Sequence, residues 1–219
     1  MFESYYHVDL VICIDKALDP SKLNKLKDYI RHIPDELEEE FLIYGKPIKT
    51  LRIKLIEFGG ETSVCESSFF DYSEKREEFN KYLESITFVN RSDVCNHGME
   101  AMLRAIKSQW TEVPRHKRHI IMMFSGSHTV NFGDELVSHP YESRQIPKDY
   151  CEFISRWEGL YDGEGSYAPE AGRLALFVPS ESDWLLFESL NRTIIYCGGE
   201  ENMECGENYV LSLITGDFR

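Results

Sequence analysis

The chain has 219 residues, 42% of them hydrophobic and 28% charged, which excludes a disordered polymer and fits a folded domain. Its 24 Lys and Arg stand against 38 Asp and Glu, a net charge of −14. That excludes a general binder of phosphate backbones and disfavours an anionic lipid surface, so neither nucleic acid nor membrane is expected as a partner.

At this length one core can bury roughly 70% of the unfolded surface, so residues 1–219 are expected to form a single domain. The six cysteines (Cys13, Cys65, Cys95, Cys151, Cys197 and Cys205) contain no CxxC pair, which argues against a zinc ribbon or a dense disulfide framework. The opening MFESYYHVDLVICI lacks a basic segment before its apolar part, and no apolar run approaches the roughly 20 residues of a membrane span. The expected setting is a reduced, cytoplasmic one.

In chain order, residues 8–14 (VDLVICI) read as a central strand covered on both faces, being almost continuously apolar. Asp19 and Pro20 form a cap and first turn, and Leu23, Leu26, Ile30 and Ile33 follow at helical spacing. Residues 50–58 (TLRIKLIEF) alternate apolar and charged, as in a strand with one less buried face. A Gly- and Ser-rich loop over 59–73 leads to helices near 74–86 and 97–108. Residues 119–125 (HIIMMFS) are another buried strand, followed by a long loop over 126–146 and a helix through Tyr150, Phe153, Ile154 and Trp157.

Beyond a second loop at 159–172, a strand at 173–179, a helix at 180–190, a strand at 193–197 and a helix at 207–214 complete the pattern. Strands separated by helices predict an α/β fold, a doubly wound, mostly parallel sheet with helices on both faces. Ligands of such sheets sit beyond the carboxyl ends of the strands. The turn after the first strand reads DKALDP, without the glycines of a dinucleotide site, and neither a P-loop nor a GxSxG elbow occurs. His128, just past a central strand, is the one histidine placed to act as a base, and with the acidic rim it would make a hydrolase-like site.

The order of VDLVICIDKALDP, RIKLIEFGG, SSFFDYSEKREEF, GMEAMLRAIKSQW, RHIIMMFSGS and GRLALFVPSESDW resembles the von Willebrand factor A (vWA) domain, and in particular its bacterial intracellular branch. The resemblance covers nearly the whole chain. It implies a Rossmann-like fold and a metal-ion-dependent adhesion site (MIDAS), where hydroxyl and carboxylate oxygens hold Mg²⁺ and the ion accepts a partner's carboxylate. Asp15 matches the first ligand of that pattern. Ala17 stands at a hydroxyl position, Asp19 replaces the second hydroxyl, and Asp93 and Asn96 stand near the later Thr. Gly126, or Ser125 one register earlier, occupies the place of the distal Asp.

The resemblance therefore implies a degenerate site with no cofactor, and a non-catalytic adaptor that binds proteins beside kinases, phosphatases or AAA-type ATPases. In that reading Asp15 satisfies local amides and Asp19 caps a helix. The competing reading keeps a reshaped Mg²⁺ site from Asp15, Asp19 and Asp93 or Asn96. Aromatic residues in the loops, Phe132, Tyr141, Tyr161 and Tyr167, are candidates to touch a partner. Phe69 and Phe70 read as loop anchors, and Trp157 and Trp184 as core.

Overall fold

A computed structural model describes residues 5–59, 64–90, 97–113, 115–127, 149–160, 167–180 and 183–197. Strand β1 (Tyr6–Asp15) runs through its centre, and every residue of it except His7 is buried. Helix α1 (Pro20–Ile43) follows, capped by Asp19. It continues through Pro34, because Leu37 and Phe41 extend the buried stripe begun by Leu23, Leu26 and Ile30. Packing of that stripe outweighs the helix bond a proline removes.

Strand β2 (Ile48–Phe58) lies parallel to β1. The segment expected as a plain loop holds two short strands, β3 (Cys65–Glu66) and β4 (Phe70–Asp71), both antiparallel to β2. Helix α2 (Tyr72–Ser85) begins at the Asp71 cap, two residues earlier than predicted. Helix α3 (Gly98–Ile106), strand β5 (Lys117–Phe124) and helix α4 (Tyr150–Trp157) come next. Strand β6 (Gly172–Phe177) and strand β7 (Thr193–Tyr196) complete the described sheet. The predicted helix at 180–190 is instead a 3-10 helix over Asp183–Ser189. Trp184 and Phe187, three residues apart and both fully buried, match the three-residue turn of that form.

The strands form one sheet in the order β3-β2-β1-β5-β6-β7, with β4 also on β2. The pairs β1–β2, β1–β5, β5–β6 and β6–β7 are parallel. Alternation along β1 sends Val8, Leu10, Ile12 and Ile14 to a core shared with α1 and α2. Val11 and Cys13 face a second core built from α3, α4 and the 3-10 helix. This is the doubly wound α/β arrangement, with helices on both faces.

Trp157 and Trp184 are fully buried. Phe70 and Tyr72 are buried, and Phe69 packs edge-on against Trp110. Cys13, Cys65, Cys151 and Cys197 are not in disulfides, and burial pushes the pKa of the Cys13 thiol well up. No helix among the described residues is long and apolar enough to cross a membrane.

Candidate functional site

Asp15 is the last residue of β1, fully buried at the carboxyl end of the sheet. Its Oδ1 accepts the Ala17 amide at 3.0 Å. Its Oδ2 accepts the Gly126 amide at 3.3 Å and the Ser125 hydroxyl at 3.4 Å. The carboxylate thus ties the turn after β1 to the turn after β5. Gly59 makes room for it: φ there is +100°, and a Cβ would stand 2.2 Å from Asp15 Oδ1. Only glycine meets both demands cheaply.

The neighbouring positions are used locally. Asp19 is exposed and accepts both the amide (2.9 Å) and the hydroxyl (2.6 Å) of Ser21. Those two bonds hold its carboxyl below the usual range. Lys16 turns to Glu57, with Nζ 3.0 Å from Oε2, and Glu57 also accepts the Tyr82 hydroxyl at 3.1 Å. Ser125 continues the sheet by donating its amide to the Phe177 carbonyl (3.0 Å), while its hydroxyl reaches the Ser127 carbonyl (3.0 Å). The Trp184 indole donates to that same carbonyl at 3.0 Å, which fixes the 3-10 helix against this turn.

The structure therefore brings Asp15, Ala17, Ser125 and Gly126 together and shows Asp19 capping α1. Asp93, Asn96, His128, Phe132, Tyr141 and Tyr161 lie outside the described residues. Tyr167 is corrected: it is buried, not an exposed loop aromatic, and packs against Trp110, His119 and Trp157 at ring-centre distances of 5.9, 5.9 and 5.4 Å. Its ring lies so close over Gly172 that a Cβ there would stand 2.0 Å from the hydroxyl oxygen.

Among the site positions that are described, Asp15, Asp19 and Ser125 offer side-chain oxygens, while Ala17 and Gly126 have none to offer. Each of these three side chains already takes part in hydrogen bonds with the surrounding turns. An octahedral Mg²⁺ shell built from this donor set lacks the oxygens that the Ala17 and Gly126 positions would supply.

At the opposite end of the sheet sits a polar group that the sequence reading missed. Asp9, Arg52 and His119 occupy one rung, Asp9 pairing in register with both. Asp9 is fully buried and receives a two-pronged bond from Arg52, Nε to Oδ1 at 2.8 Å and Nη2 to Oδ2 at 2.7 Å. The Thr111 amide and hydroxyl also donate to it, at 2.6 and 3.1 Å. His119, fully buried and stacked on Trp110 at 4.7 Å, sits 3.2 Å from the Thr111 carbonyl through Nε2 and accepts the Ala168 amide at 3.2 Å through Nδ1. This fits a neutral ring with the proton on Nε2. Burial pulls its pKa down from 6.5 to about 4, against the pull of Asp9.

No protein-family model matches the chain, and no curated protein matches its sequence. Solved structures do match its fold. Proximal thread matrix protein 1 from the mussel byssus, with a zinc-occupied MIDAS motif, superposes with a TM-score of 0.60 at 8% identity, over 97% of this chain and 49% of that one. A second crystal form gives 0.59 at 9% identity. The pilus adhesin SpaC from Lactobacillus rhamnosus GG gives 0.55 at 8% identity, over 98% of this chain and 31% of that one. The chain thus has a vWA-like fold and spans about half the length of the matrix protein or less than that of the adhesin. At such identities the likeness concerns the fold alone.

Proposed function

We propose that this chain is a protein-binding module of vWA type, without catalysis of its own, whose MIDAS position no longer depends on a metal. The observation that carries this reading is the bonding of Asp15. Its two oxygens join the β1 and β5 turns by accepting amides, the role a bound ion would otherwise play as a cross-link between loops. The absence of side-chain oxygens at Ala17 and Gly126 supports it, as does a fold shared with a matrix protein and an adhesin. In this reading a cytoplasmic partner is recognised by the surface around the rim, with Phe132, Tyr141 and Tyr161 as contact candidates.

Titration calorimetry with Mg²⁺, Mn²⁺ and Ca²⁺ tests the metal half of the proposal. The expected result is no site-specific heat at millimolar ion. Stoichiometric binding that Asp15→Asn abolishes would overturn it and favour a metal-dependent binder.

A further inference from the structure

The segment Tyr167–Ala171, which ends in a 3-10 turn (Pro169–Ala171), packs against β5 just before β6 begins. The Ala168 amide donates to His119 Nδ1 at 3.2 Å, and both residues are buried. The Tyr167 ring lies 5.9 Å from the His119 ring, on which Trp110 stacks at 4.7 Å. Pro169 sits close to Gly159, where a Cβ would stand 2.5 Å from its Cγ. At the far end Arg173 Nη1 donates to the Gly172 carbonyl at 2.7 Å and to the Glu170 carbonyl at 3.4 Å, which anchors the segment to β6.

This contact is conditional on a bare lone pair. Nε2 of His119 faces the Thr111 carbonyl and must donate, so Nδ1 accepts from Ala168 only while the ring is neutral. A proton on Nδ1 sets N–H against N–H. The Tyr167 hydroxyl adds a second weakness. It is buried and has no hydrogen-bond partner among the described residues, so closure removes it from water without replacing the bond.

The charges around the ring leave an added proton unmatched. On β1, Asp9 has both oxygens taken by Arg52 of β2 and by Thr111. On β5 itself, Lys117 opposes the proton; Glu170, in the 3-10 turn, favours it but is mostly exposed and lies 4.0 Å from Lys117. β6 sets the uncharged Gly172 opposite His119 in register. Near Tyr167, Glu158 and Arg192 pair with each other at 3.0 Å.

We propose that Tyr167–Ala171 is an acid-released strap: a proton on His119 Nδ1 expels the Ala168 amide, and the segment swings off β5 about its Arg173 anchor while the sheet stays folded. Release uncovers the aromatic face of Trp110 and Trp157 that Tyr167 covers. Under the closed strap, burial holds the ring's pKa at about 4, and release returns it toward 6.5. The open form therefore binds the proton more tightly. The strap is shut at neutral pH and opens progressively as pH falls from 6.5 toward 4. It lies at the opposite end of the strands from Asp15, so it stands or falls independently of the rim.

Hydrogen–deuterium exchange on the whole chain, with rates corrected for the intrinsic effect of pH, tests this. Opening at peptides covering 167–172 is expected to rise about twentyfold from pH 7 to pH 5, the factor that pKa values of about 4 and 6.5 set. Peptides from β1 and α1 keep their protection. In H119Q, which retains an acceptor for Ala168 and binds no proton, the rise is absent. Y167F removes the unpartnered hydroxyl and lowers opening severalfold at both pH values, leaving their ratio unchanged. Circular dichroism checks that each variant is folded, and the wild-type comparison of 167–172 with β1 decides the matter even where H119Q does not fold. An equal rise in H119Q, a loss of protection in β1 that keeps step with 167–172, or no rise at all would overturn the proposal.

Discussion

A single carboxylate, Asp9, meets two arginine nitrogens and two Thr111 donors while fully out of solvent. Removing it strands a guanidinium that is itself mostly covered, so Asp9→Ala is expected to cost about 3 kcal/mol, read from urea midpoints. His119 beside it links stability to pH. Its pKa is about 4 in the fold and 6.5 ordinarily, so the unfolded chain binds the proton first. Its contribution is complete above pH 6.5, is lost as pH falls from 6.5 toward 4, and is level below that. The change is up to about 3 kcal/mol. His119→Gln can still accept from Ala168 and donate to Thr111, and should flatten this part of the profile when urea midpoints at pH 7 and pH 4.5 are compared.

Among the elements, the turns after β1, β2 and β5 act as one unit because Asp15 is held in all of them. Two glycines there should respond differently to alanine. Gly59→Ala places a methyl on Asp15 Oδ1 at a backbone angle that side chains avoid, and should cost about 2–3 kcal/mol. At Gly126 the methyl would stand 2.5 Å from Leu18 Cδ2, the end of a flexible side chain, and the cost should be about 1 kcal/mol or less. Thermal unfolding of the two variants checks the order. The elements themselves were largely legible. Runs such as VDLVICI and HIIMMFS have one reading, a doubly covered strand, and Asp19-Pro20 marks a helix start. The 3-10 helix over 183–189 was misread because its i, i+3 aromatic pair also suits an α-helix. Asp15 was legible as an acid at a strand end. The rung of Asp9, Arg52 and His119 was not, since each sits alone in its strand and only the register joins them across 43 and 110 positions.

On the scale of the whole molecule, the sheet puts its two ends to different uses: Asp15 ties the turns at the carboxyl end of β1, while the Tyr6 and His7 amides, bonded to the Pro47 and His116 carbonyls, tie the segments at its start. The order of the strands adds a second asymmetry, one of time. β1 is translated first, yet its inner neighbour β5 pairs His7 with Lys117, a separation of 110 residues (117 − 7). Until that length has left the ribosome, β1 carries an open row of amides and carbonyls beside apolar faces meant for both cores, an invitation to mispairing with other nascent chains. A polypeptide halted before residue 117 is therefore expected to need chaperones, however well its own helices form.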